Sequence, residues 1–142
     1  MSDALPVLAI DANVILRYLL RDNEQQYERA AAILQAVDRG EARVACDPVT
    51  LAEVVWVLSA RYGLPNHEIS EGLAPLVKAE GFVMPAKGRY IRALELFAGS
   101  VKHFGDACAC ATALEGCEGR LYSFDRKLSS VAGIQRTESV AG

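Results

Sequence analysis

The sequence predicts an α/β domain of three layers, helices covering both faces of a central, mainly parallel sheet. Two observations predict it. Short apolar runs alternate along the chain with stretches of helical period, the signature of strands joined by crossover helices. The chain's 142 residues, 51% of them apolar, suit one domain (residues 1–142) with one sizeable core. No repeat, linker or low-complexity stretch divides it.

Pro6 to Ile10 reads as a buried strand, with helical residues from Asn13 to Arg21. Asn23 and Gln26 make a capping-box-like start, and Tyr27, Ala30, Ala31, Leu34 and Val37 form an amphipathic stripe that Gly40 ends. Arg43 to Cys46 is the second strand. Pro48 marks a turn, Thr50 opens a helix reaching Tyr62, and Gly63 and Pro65 stop it. Asn66 is expected to cap the next helix, which Gly72 and Pro75 weaken or kink. Phe82 to Met84 is a short third strand. A helix over Tyr90 to Ala98 is followed by an Ala-rich helix starting near Asp106. Arg120 to Phe124 is the fourth strand; a short helix over Arg126 to Val131 and a strand near Ile134 close the domain.

A formal net charge of −3 argues against binding nucleic acid by bulk electrostatics alone. The opening Met1-Ser2-Asp3 lacks the basic stretch of a leader, and no apolar run reaches membrane-spanning length, so a soluble cytoplasmic protein with no membrane contact is expected. Cys46, Cys108, Cys110 and Cys117 show no zinc-site spacing and read as small buried hydrophobes, Cys110 and Cys117 sharing a helix face. Trp56 is expected in the core.

Four acidic residues stand in apolar surroundings: Asp11 after the first strand, Glu53 in TLAEVVWVL, Asp106 in HFGDACACATAL and Asp125 in LYSFDRKL. Each has a local explanation. Asp106 and Asp125 suit helix starts, Thr50 with Glu53 fits a capping box, and Asp11 can satisfy the turn before Asn13. Together they ask for more. Asp11 and Asp125 both follow predicted parallel strands, whose carboxyl ends are where such folds gather ligands. Carboxylates brought to one edge repel, and a hard divalent cation, Mg²⁺ or Mn²⁺, resolves the conflict.

These blocks, IDANVILRYL, TLAEVVWVL, FGDACACATAL and SFDRKL, resemble in order those of the PIN-domain nucleases, and most closely the toxins of VapBC-type toxin–antitoxin pairs. The likeness spans nearly the whole chain. Two departures are mild: His103-Phe104-Gly105 precedes Asp106 where many relatives have an alanine-rich approach, and Ser123 stands where Thr is frequent. The resemblance implies a PIN-like fold and metal-dependent hydrolysis of single-stranded RNA. Asp11 and Asp106 would be the leading metal ligands, with Glu53 and Asp125 holding a second ion or orienting its water. Asn13 is either a supporting polar contact or a helix cap, and Ser123 either supports Asp125 or is a strand-end hydroxyl. Arg17 and Arg21 are candidate phosphate contacts, with Arg89, Arg92, Lys102, Arg126 and Lys127 weaker ones. The resemblance also implies a homodimer and a VapB-like antitoxin partner.

Two other enzyme classes fit poorly. A haloacid dehalogenase-type phosphatase wants Asp-x-Asp, but Asn13 holds the second position, and a response-regulator receiver wants adjacent acids after its first strand. A PIN-like module that binds RNA or protein without cutting is the non-enzyme alternative. Setting the four carboxylates aside leaves 14 acidic (18 − 4) against 15 basic residues, so the rest of the chain is nearly neutral.

Overall fold

A computed structural model describes residues 5–140. Met1-Ser2-Asp3, on which the reading of no leader rested, lies outside the described residues. The order is β1 (Val7–Ala9), α1 (Ala12–Leu20), α2 (Glu24–Asp38), β2 (Arg43–Ala45), α3 (Pro48–Trp56), a π-helical turn (Val57–Arg61), α4 (Asn66–Lys78), β3 (Phe82–Val83), α5 (Lys87–Ala98), α6 (Phe104–Gly116), β4 (Arg120–Tyr122), a 3-10 turn (Arg126–Ser130) and β5 (Gln135–Thr137). The layering is the α/β/α arrangement expected, and every strand pairing is parallel.

The strands are short and fall into two groups. β2 is the centre of one, with Leu8 opposite Val44 on one side and Val44 opposite Phe82 on the other. β4 pairs with β5, Leu121 opposite Arg136. No ladder joins the groups among the described residues. This corrects the reading of the first strand as buried. Among the described residues β1 is an edge with one free side, Leu8 is 62% exposed, and only Ile10 just beyond it is buried. Hydrophobicity selects a strand; it does not say which of its edges is covered.

Helices supply most of the core. Ile15, Leu51, Leu58, Ile69, Leu73 and Leu94 are all but inaccessible. The core stripe of α3 and the turn after it is Leu51, Val54, Val55 and Leu58, one face at helical spacing. Trp56 falls off that stripe and is 59% exposed, which overturns its expected burial. Two caps also differ. α3 is capped by Asp47, whose Oδ1 accepts the Val49 N–H at 2.7 Å, so Thr50 and Glu53 form no capping box there. Asn66 begins α4 without capping it. Its side-chain amide donates to the carbonyls of Phe97 (3.1 Å) and Lys102 (2.9 Å), tying α4 to the segment entering α6. Pro75 lies inside α4, which runs on to Lys78.

Cys46 and Cys110 are buried as expected, whereas Cys108 is partly buried and Cys117 is exposed. Cys117 leaves the expected shared face because α6 ends at Gly116. Burial, reinforced by the neighbouring Asp47 carboxylate, pushes the Cys46 thiol up to about 11 from its ordinary 9.0. Below pH 9 the thiol is neutral in both native and unfolded chains. Between 9 and 11 only the unfolded chain releases the proton, so stability falls as pH rises through that window. Urea midpoints at pH 8 and pH 10 are expected to drop less in Cys46→Ala than in wild type; equal slopes would show that Cys46 is not the group responsible.

Candidate active site

Asp11 follows Ile10, whose N–H donates to the Ala45 carbonyl at 2.9 Å, so the carboxylate leaves the sheet just where the β1 direction ends. Its backbone is extended, and it caps α1 by accepting the Val14 N–H at 3.2 Å through Oδ1. The side chain is exposed, on the rim of an apolar cavity of about 650 Å³ shared with Leu8, Val14 and Ile33. Asp11 is thus both a cap and an accessible carboxylate. The two readings are compatible, because one oxygen meets the helix and the other takes no hydrogen bond among the described residues. Asp11 being the cap, Asn13 is an exposed residue inside the first turn.

Asp125 repeats this arrangement. It precedes the 3-10 turn, accepts the Lys127 N–H at 3.0 Å through Oδ1, and is exposed. Its own N–H donates to the Ser123 Oγ at 3.0 Å, and Arg136 donates to the Ser123 carbonyl at 2.8 Å. Ser123 therefore shapes the turn that presents Asp125. Asp106 sits in the first turn of α6, half exposed, where the helix N-terminus favours negative charge. Glu53 projects from α3 and is exposed.

Arg17 and Arg21 are engaged inside the chain. Arg17 pairs with Asp22 at 2.7 Å, and Arg21 reaches Glu24 at 3.4 Å while lying 4.2 Å from the centre of the Tyr27 ring. A PIN domain family model matches residues 8–134, a span that holds all four acidic residues. The chain belongs to the PIN domain family. No curated protein matches it. PIN domains are generally nucleases and generally use divalent metals.

Four carboxylates are the right donors for a hard cation. Among the described residues of this PIN domain, no three of His, Cys, Asp and Glu form a group that could hold a metal ion. Asp11 follows β1 in one group of strands and Asp125 follows β4 in the other.

Sequence reasoning also missed a second feature. A cavity of about 570 Å³ opens between α3, α5 and the start of α6, lined among others by Val49, Trp56, Phe97, Lys102, His103 and Phe104. Its signal was present. Val49, Ala52, Trp56 and Ser59 recur at helical spacing beside the core stripe, making a second face that the core does not use.

Proposed function

We propose that this PIN domain is a Mg²⁺- or Mn²⁺-dependent endoribonuclease acting on single-stranded regions of RNA, and the toxin of a VapBC-type pair. The observation that carries the reading is the family match over residues 8–134 with Asp11, Glu53, Asp106 and Asp125 all within it and none of them buried. Asp11 and Asp106 would hold the ion, with Glu53 and Asp125 binding a second one or orienting its water. When bound, the ion supplies an activated water and offsets charge developing on the phosphate. The chain's own residues fix the carboxylates: Val14 N–H holds Asp11, and Ser123 with Lys127 N–H holds Asp125. In this reading a second copy completes a homodimer, and a VapB-like antitoxin restrains the activity.

A second reading, a PIN module that binds RNA or protein without cutting, draws on there being no metal-holding group of three such side chains among the described residues. One experiment separates the two. RNA pools containing tRNA and rRNA are incubated with the pure protein and Mg²⁺ or Mn²⁺, then with EDTA. Cleavage is expected with either ion and is expected to stop with EDTA. RNA that is retained but never cut under any metal condition would favour the binding module. Growth arrest on expression, relieved by a co-expressed small neighbouring gene product, tests the toxin assignment separately.

A further inference from the structure

The cavity between α3, α5 and α6 carries chemistry that the carboxylates do not use. Among its lining residues are Trp56, Tyr90, Phe97 and Phe104, four of the chain's ten aromatic residues (one Trp, five Tyr, four Phe). Phe97 and Phe104 meet edge to face with ring centres 5.7 Å apart, giving the cavity a rigid apolar wall. The Trp56 indole is largely exposed and therefore available to a partner. Lys102 and His103 add a cation and an imidazole, and both are exposed. Six arginines are engaged in ion pairs, while Lys102 makes none among the described residues.

Position matters as much as composition. Ala52 and Gly105 both line the cavity, and their next neighbours in the chain are Glu53 and Asp106. The cavity thus draws its lining from the same turns of α3 and α6 that carry these two acids.

We propose that this cavity is a nucleobase pocket for single-stranded RNA, with the Trp56 indole as the stacking surface and Lys102 and His103 meeting the adjoining phosphate. The proposal rests on the ribonuclease reading and adds where the substrate is held. An unstacked base offers a flat apolar face and a charged backbone, which match an aromatic wall rimmed by a cation. A second copy of the chain is the competing occupant. Lysine is depleted from protein interfaces, and a concave slot of this size suits a small planar group better than an opposed helix face.

Trp56 is the only tryptophan, so its emission reports on this cavity alone. Short oligoadenosine and oligouridine RNAs are titrated against the full chain in EDTA, which keeps cleavage out of the measurement. Saturable quenching of Trp56 is expected. With fluorescein-labelled RNA, anisotropy is expected to show binding about tenfold weaker in Trp56→Ala, largely restored in Trp56→Phe, and weakened in Lys102→Ala with a smaller dependence on salt. Because Trp56 is mostly exposed, thermal melts of these variants are expected to match wild type. RNA binding by anisotropy without quenching, or undiminished in Trp56→Ala, would overturn the pocket while leaving the ribonuclease reading intact. Absence of any RNA binding, together with absence of cleavage, would remove both. Emission that shifts with protein concentration, alongside a Trp56-dependent doubling of mass in solution, would assign the cavity to a second copy and overturn the pocket.

Discussion

In Asp11→Asn, metal-dependent RNA cleavage is expected to fall about a thousandfold, with little change in melting temperature. The substitution isolates charge. Asp11 caps α1 through Val14 N–H, and an asparagine oxygen caps a helix about as well as an aspartate oxygen. The native fold therefore keeps its first helix, while the site loses one of the charges that would hold a divalent ion. Asp106→Asn is expected to lose activity to a similar degree, with a small stability cost of about 0.3–1 kcal/mol from its place in the first turn of α6. Initial cleavage rates, together with melting curves, check both. A variant that cuts within about tenfold of wild type would remove that residue from the proposed ligand set. A variant whose loss of rate follows a loss of folded protein would show that the carboxylate acts on its helix rather than on the reaction.

The contrast between Asp11 and Trp56 shows what the sequence could and could not convey. Asp11 was legible because its signal is local: an apolar run stops, a helix starts, and a carboxylate stands at the junction. The same holds for Asp125, where Ser123 and Lys127 complete a short turn. The parallel α/β class followed from alternation, which needs no knowledge of which strand lies beside which. Trp56 was misread because hydrophobicity favours burial, while burial depends on which helical stripe faces the core. Leu51, Val54, Val55 and Leu58 already filled that role. Leu8 was misread for a related reason, since an apolar strand can still lie at an edge. Asn66 was misassigned because an asparagine at a helix start usually serves its own helix, and nothing local announces that it reaches carbonyls beyond residue 96 instead. How close the four carboxylates come depends on relations between elements, above all on the two groups of strands, and those relations leave no trace in spacing.

Gly119→Ala is expected to cost about 3 kcal/mol or more, lowering the melting temperature by roughly 10 °C. Gly119 links α6 to β4 with φ +80, a left-handed conformation that costs an alanine about 1–2 kcal/mol by itself. Space is the larger obstacle. A Cβ there would run into the carbonyl oxygen of Gly133, which is backbone and cannot swing aside. Gly119 is also fixed at both polar groups: its N–H donates to Ala113 at 2.9 Å, and its carbonyl accepts from Gln135 at 2.8 Å. Relieving the clash means moving the junction at which β4 and β5 begin to pair. β4 leads directly to Ser123 and Asp125, so cleavage is expected to decline even at temperatures where the variant remains folded. Two other glycines separate the contributions. Gly40, with φ +77 and nothing within 4 Å of an added Cβ, carries only the conformational cost, so Gly40→Ala should lose about 1 kcal/mol. Gly88 lies in α5 with open space around it, and Gly88→Ala should be neutral or stabilising by about 0.5–1 kcal/mol. Calorimetric melts of the three variants order the effects. If Gly119→Ala melts no lower than Gly40→Ala, the close approach of Gly119 to Gly133 does not set the position of β4, and Asp125 must be held by its own turn alone.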